Sequence, residues 1–295
     1  MKYKLKAPRV VFLAVAYTLM ILIFIVCLAP MWHVLMASIS DPTLLNSARG
    51  LILKPLGNID FTAYKIIMGY GKLWMGYRNT IFYIVGQCAI TGFLTVMAGF
   101  VFSRKRFYYR NTFMMIISFT MLFNGGMIPT YMVVRKLGLI DTPLALLLPT
   151  ALSVFNILIM RTSMEGISDA LEDAARIDGA GDFTIMFKIV LPLCKATFAV
   201  IMLFTIVGKW NDYMSALLYL PTATKLYPLQ MVLREILITS SANFSSASDF
   251  VNSMSQYKKA IEYSVIIVST LPILCVYPFV QKYFVTGITI GAVKS

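Results

Sequence analysis

Six carboxylates crowd the segment between Arg161 and Lys195: Glu165, Asp169, Glu172, Asp173, Asp178 and Asp182. The whole chain holds only thirteen, so this segment is a specialised surface. Carboxylates gathered on one loop can pair with basic groups of a partner and so set register and specificity. The bland alternative is a solvated acidic loop that binds nothing. A second pair, Lys209 and Asp212, falls inside an apolar block, three residues apart, where the two side chains can meet on a helix. Trp210, Asn211 and Tyr213 complete that stretch with groups able to stack on or hydrogen-bond to a polar ligand. His33 is the only histidine, and Cys27, Cys88, Cys194 and Cys275 are far apart with no CxxC spacing. A histidine-based metal site and a Ser-His-Asp triad therefore lack their residues, and no catalytic and no metal-ligating residue is assigned.

The acidic segment reads as two short helices. Ser168 is placed to cap a helix running through Ile177, with Asp169 near the positive end of its dipole. Gly179 and Gly181 supply a turn. Asp182 is placed to cap a second helix over Phe183–Leu191, and Pro192 marks the start of the next apolar block.

The surroundings of this segment are apolar. Hydrophobic residues make up 59% of the 295 and charged residues 13%, about half the share usual in a soluble domain. The apolar residues fall in blocks near the 20 or so that a helix needs to cross a bilayer. The sequence predicts an all-α integral membrane protein with six transmembrane helices: Val10–Trp32, Tyr77–Phe102, Phe113–Val134, Pro143–Met160, Ala196–Leu220 and Ala260–Phe284. The first block is longer than a signal-peptide core and no A-x-A site comes after it, so it is expected to remain as a span.

The net charge of +13 belongs to this topology rather than to a nucleic-acid surface. Lys2, Lys4, Lys6 and Arg9 precede the first span, and Arg104, Lys105, Arg106 and Arg110 come after the second. Both groups are expected in the cytoplasm, which puts both termini and the acidic segment there. Arg135 and Lys136 fall on the outer side and run against the trend.

The run Leu171-Glu172-Asp173-Ala174-Ala175-Arg176-Ile177-Asp178-Gly179-Ala180, with Ile189-Val190-Leu191-Pro192 beyond it, resembles the EAA signature of bacterial ABC importer permeases. Asp173 stands where that signature has glutamate. The resemblance implies a type I ABC importer permease (MetI-like) fold, in which residues 163–192 form a coupling loop docked on a separate ATPase subunit. It implies ATPase-coupling roles for Glu172, Asp173, Ala174, Ala175, Asp178 and Gly179. The stretches Met31-Trp32 to Asp41, Phe123-Asn124-Gly125-Gly126-Met127-Ile128-Pro129-Thr130-Tyr131 and Trp210-Asn211-Asp212-Tyr213 are similar to the carbohydrate-uptake branch, related to the second permease of the maltose system and to permeases for oligosaccharides and polysaccharide fragments.

The implied assembly contains a second homologous permease, two ATP-binding subunits that carry ATP and Mg, and an extracellular substrate-binding protein touching the outer loop Pro221–Lys259. No cofactor is expected in this chain itself. The implied division is residues 1–76 as tail, first helix and outer loop, 77–286 as the core permease domain, and 287–295 as a cytoplasmic tail.

Charges within a span cost at least ~2.5–3.5 kcal/mol each and generally face the protein interior or an aqueous path. Lys209, Trp210, Asn211, Asp212 and Tyr213, with Asn79 and Asn124, are therefore candidates to line a substrate pathway. A self-neutralised Lys209–Asp212 pair packed against other helices is the competing reading. Gln87 and Asn156 are further polar residues in spans, for which interhelical hydrogen bonding is the commoner use. The alternatives for the whole chain are a stand-alone secondary transporter or channel, which would favour inverted repeats, and a membrane enzyme, which the scarcity of histidine and intramembrane carboxylates opposes.

Overall fold

A computed structural model of the chain describes residues 7–123, 125–241 and 257–275. Asn124, the tip of the outer loop at 242–256, the end of the sixth expected span and the tail at 287–295 lie outside the described residues. The described residues are helical or irregular, with no strand among them. The chain divides into two compact units, one of residues 1–70 and 235–271, the other of 71–234 and 272–295.

The first unit is built on α1 (Ala7–Ser38), a 32-residue helix whose apolar side chains stay exposed nearly to its end. That is the surface of a helix bathed in hydrocarbon. α2 (Pro42–Ser47) comes next, with Asp41 accepting from the Thr43 N–H at 2.8 Å to cap it, and then α3 (Thr62–Gly69). The helix α15 over 257–275 returns to this unit through residue 271. His33 is spent here: its Nδ1 accepts the Ile52 N–H at 2.9 Å, and its ring meets Tyr263 edge-on.

The second unit is organised around α4 (Gly71–Ser103), 33 residues long. Glycines bring the other helices close to it. Gly92 lies against Phe198 and Met202, and Gly99 against Met160. A second feature is a polar stripe, Asn79, Tyr83, Gln87, Thr91 and Thr95, recurring every four residues and buried throughout. Residues four apart share one helix face.

α1 and α4 cover the first and second expected spans, and among the described residues these two are long and apolar enough to cross a membrane singly. The third expected span is two helices, α5 (Arg110–Leu122) and α6 (Met127–Lys136). Gly126, in a left-handed conformation at φ +87°, starts the second of them.

The fourth span is corrected most. The chain forms only α7 (Leu144–Leu147), then irregular backbone, then α8 (Val154–Glu165). Pro149 cannot donate to a helix and obstructs the preceding turn, so the apolar run does not continue as one helix.

The acidic segment supplies α9 (Asp169–Ile177). The second helix expected over Phe183–Leu191 is instead composite: α10 (Asp182–Thr184), a π-helical turn at Ile185–Val190, and α11 (Leu191–Leu193). Gly181 is its N-cap, and Asp182 lies inside the helix as its first residue. This composite meets α12 (Lys195–Trp210) at a bend of 86°. The fifth span is shorter than expected, since α12 ends at Trp210 and α13 (Met214–Tyr219) begins after a break. Lys209 therefore sits in the last turn of a helix, just before the break. α14 (Leu229–Ser241) starts in the second unit and leaves it after Arg234.

The Gly99 contact is testable. A Cβ there would lie 2.8 Å from Met160 Cγ and 3.0 Å from its Cβ, close to the backbone of α8. Gly99→Leu should lower the thermal midpoint of the detergent-solubilised protein, at a cost of about 1–3 kcal/mol. Gly69→Ala, which meets open space, should leave that midpoint unchanged.

Candidate functional site

Two regions of the second unit carry the sequence-predicted residues: the loop around α9 and a polar cleft beside α12. In the first, Ser168 takes the extended N-cap conformation, though its hydroxyl makes no capping bond. The C-terminus closes as a Schellman turn. The Gly179 N–H donates to the Arg176 carbonyl at 3.0 Å, and the Ala180 N–H to the Ala175 carbonyl at 2.9 Å. Gly179 makes this possible at φ +83°.

The face that α9 presents outward consists of Asp173, Ala174, Ile177 and Asp178. Ile177 is 87% exposed, at a place where burial inside this chain does not explain an isoleucine. Glu172 and Ala175 turn the other way. Ala175 enters the cluster formed by Met160, Met164, Ile185, Met186 and Val190. Glu172 is buried and forms an ion pair with the Arg104 guanidinium. Burial pushes the Glu172 carboxyl up from its ordinary range, against the pull of Arg104 and Arg176. Its charge is thus directed to its own chain.

Arg104 is the anchor of a wider clamp. Its guanidinium also donates to the Met164 carbonyl at 3.3 Å and lies 5.0 Å from the Phe100 ring centre. Lys105 meets Asp169 at 3.0 Å, and Arg106 meets Asp182 at 3.1 Å. Arg176 reaches the same Asp182 at 2.5 Å. Arg161 holds Glu165 at 2.9 Å. Hydrogen bonds from Lys105 and Arg176 hold the Asp169 and Asp182 carboxyls, respectively, below the usual carboxylate range. The basic group at 104–110 therefore stands at the same end of the unit as the acidic loop and grips it.

The cleft is about 640 Å³ and lies between α4, the start of α8 and the end of α12. Gln87, Asn156, Lys209, Asp212 and Ser215 line it, with Phe155 and Phe204 as apolar walls. Lys209 Nζ donates to the Leu146 carbonyl at 2.5 Å and to Asp212 at 2.9 Å. Asp212 in turn accepts the Ser215 N–H at 3.1 Å, capping α13. The pair is thus both self-neutralised and placed at a cavity.

The remaining pathway candidates disperse. Trp210 is buried near the Tyr77 ring. Asn211 donates to its own Val207 carbonyl at 2.9 Å, and Tyr213 lies beside Arg234. Asn79 gives both amide hydrogens to backbone, at 2.8 Å to Lys225 and 3.0 Å to Tyr227. Neither Asn79, Trp210, Asn211 nor Tyr213 lines the cleft.

Residues 92–290 match the family described as the inner membrane component of binding-protein-dependent transport systems. The chain belongs to this family.

A Bacillus subtilis polygalacturonan/rhamnogalacturonan transport system permease protein, YtcP, is 37% identical over 279 residues, covering 95% of this chain and 96% of the relative. Protein LplC of the same organism is 39% identical, covering 79% and 78%. The crystal structure of a bacterial ABC transporter involved in the import of the acidic polysaccharide alginate contains a similar chain, with a TM-score of 0.85 at 32% identity. The match covers 95% of this chain and 99% of that one. The chain is a transport permease and not a catalytic enzyme.

Sequence reasoning missed Arg104, Lys105 and Arg106 as functional partners of this permease's acidic loop, because positive charge after a span already had an explanation in topology. It named Gln87 as an interhelical hydrogen-bonding residue, and Gln87 does bond Thr150, but it missed Thr91, although the four-residue spacing of polar groups along α4 was a usable signal.

Removing one partner of a buried ion pair strands the other, at a cost of about 3–5 kcal/mol. Arg104→Met should therefore lower the thermal midpoint of the detergent-solubilised protein, and Arg104→Met/Glu172→Leu should recover much of that loss. At Gly179 the constraint is the backbone alone, since a Cβ would meet open space. Gly179→Val should lose transport while still inserting into the membrane. Gly179→Asn, which tolerates the left-handed region better, should retain more activity in the same uptake assay.

Proposed function

We propose that this permease is one of two membrane subunits of an ATP-driven importer of a carbohydrate, an oligosaccharide or polysaccharide fragment. The single observation that carries the reading is the outward face of α9, with Asp173, Ala174, Ile177 and Asp178 exposed on a helix fixed from behind by ion pairs. Such a face suits a cleft on an ATP-binding subunit, and the clamp gives that subunit something stiff to push. Residues 163–192 are the docking segment in this reading. ATP and Mg are held by the ATPase subunits and not by this chain.

The rest of the assembly rests on the family's dependence on a binding protein. Six spans with both termini in the cytoplasm put the acidic loop beside the ATPase and the loop at 221–259 beside an extracellular binding protein. Residues 77–286 form the core permease domain and 287–295 a cytoplasmic tail. The carbohydrate assignment is supported by relatives named for polygalacturonan/rhamnogalacturonan and arabinooligosaccharide transport. The polar cleft gives such a substrate a place to pass.

A mild-detergent purification of the tagged protein from its own membrane, with mass spectrometry of the bound partners, tests this. A second six-span permease and an ATP-binding subunit should co-purify, and the complex with its binding protein should take up saccharide in proteoliposomes only with ATP. A chain recovered alone that moves solute without ATP would defeat the proposal.

A further inference from the structure

Most polar groups around the cleft are already bonded. Gln87 donates to the Thr150 carbonyl at 2.9 Å and to Thr91 at 3.0 Å, and Thr91 donates to the Ala151 carbonyl at 2.8 Å. Asn156 differs. It is 8% exposed and lines the cleft, yet among the described residues its carboxamide makes no hydrogen bond. Its backbone N–H alone is engaged, by the Ser153 hydroxyl at 3.5 Å. A primary amide offers two donors and an acceptor with two lone pairs. The amide lines the cleft and is open to it, so water or a bound ligand can meet these groups. Asn156 is thus a polar group that no described side chain engages, held on the cleft wall where a ligand would meet it.

The charged pair states what kind of ligand. The side chain of Lys209 is 4% exposed and that of Asp212 17%. The ammonium is turned inward onto the Leu146 carbonyl and onto Asp212. A molecule in the cleft therefore meets the carboxylate of the pair before the cation. Asp212 has about four acceptor positions, of which Lys209 and Ser215 take two. The free positions accept hydroxyl protons, whereas a second carboxylate placed there would be repelled. Phe155 and Phe204 offer flat apolar surface for the C–H face of a ring.

We propose that the cleft is a saccharide subsite in which Asn156 and Asp212 hold the neutral hydroxyl face of a sugar ring and exclude a uronate carboxylate. This rests on the carbohydrate reading of the permease and adds to it a place and a selectivity. Hydroxyls both donate and accept, which matches an amide set beside a carboxylate. The carboxylates of an acidic saccharide would have to be met outside this cleft.

The test uses the intact complex of this chain with its partner permease and ATPase subunits in nanodiscs, without the binding protein. Galactobiose and digalacturonate serve as probes, and dissociation constants come from saturation-transfer NMR. Galactobiose should bind at least about tenfold more tightly than digalacturonate. Asn156→Leu should weaken galactobiose about tenfold, a change of about 1.4 kcal/mol, with an unchanged thermal midpoint of the complex. Asn156→Ser, which keeps a polar group too short to reach, should weaken it comparably and stands in if the leucine variant does not assemble. Equal or tighter binding of digalacturonate overturns the selectivity. Unmoved constants in both variants, or no binding of either probe to a complex that imports saccharide with ATP, overturn the subsite. A complex that imports no saccharide at all in proteoliposomes overturns the carbohydrate reading itself, so the two failures are told apart.

Discussion

A polypeptide that interrupts its helices inside a packed bundle must find partners for the carbonyls it exposes, and this constraint shapes the second unit of the permease. A buried backbone group left unmet costs about 1–3 kcal/mol. The chain breaks after α7, and again between α13 and α14. α4 supplies donors at both places. Asn79 and Tyr83 bond the carbonyls of Lys225, Leu226 and Tyr227, while Gln87 and Thr91 bond those of Thr150 and Ala151. Thr80 performs the converse service, accepting the Leu229 N–H at 2.8 Å. The polar stripe on α4 is best understood as a substitute for missing helix hydrogen bonds, and the cleft exists because the breaks it stabilises leave space beside them.

Electrostatics at the other end obeys a similar logic of satisfaction. Glu172 would be intolerable in its buried position without Arg104, and Arg104 without Glu172. The outer ion pairs of Lys105 and Arg106 are exposed and contribute little singly. Their value lies in fixing the orientation of α9, so that the acidic face available for a partner is Asp173 and Asp178 rather than the full set of carboxylates.

The legible parts of the sequence were those governed by local rules. The spans at α1 and α4, the extent of α9, its N-cap position and the left-handed Gly179 are all dictated by neighbouring residues. The breaks in the third, fourth and fifth spans were not read as such, although Gly125-Gly126, Pro149 and Asn211-Asp212 lie at them, because the apolar residues on both sides add up to the length of a span. What stabilises the break in the fourth span lies far off in sequence, where Gln87 acts on Thr150, and the same holds beyond the fifth, where Asn79 acts on Lys225. The pathway candidates show the same limit. Lys209 and Asp212 were marked by charge and do line the cleft, whereas Trp210 and Asn79 were marked by type and are taken up by packing and by backbone. Asn156 read as an ordinary interhelical amide, and only the absence of a neighbour within the fold sets it apart.

The continuity of α4 has a consequence for exchanging parts between related transporters. The helix carries donors for the cleft wall at Gln87 and Thr91, and runs unbroken to Ser103, next to the arginine that holds the acidic loop. The segment 163–192 is therefore not a modular plug. A graft of that loop from another permease, made so that the chain accepts a foreign motor, would arrive without the residues that seat it. The transplantable unit is discontinuous: the loop together with residues 104–110, moved as one piece.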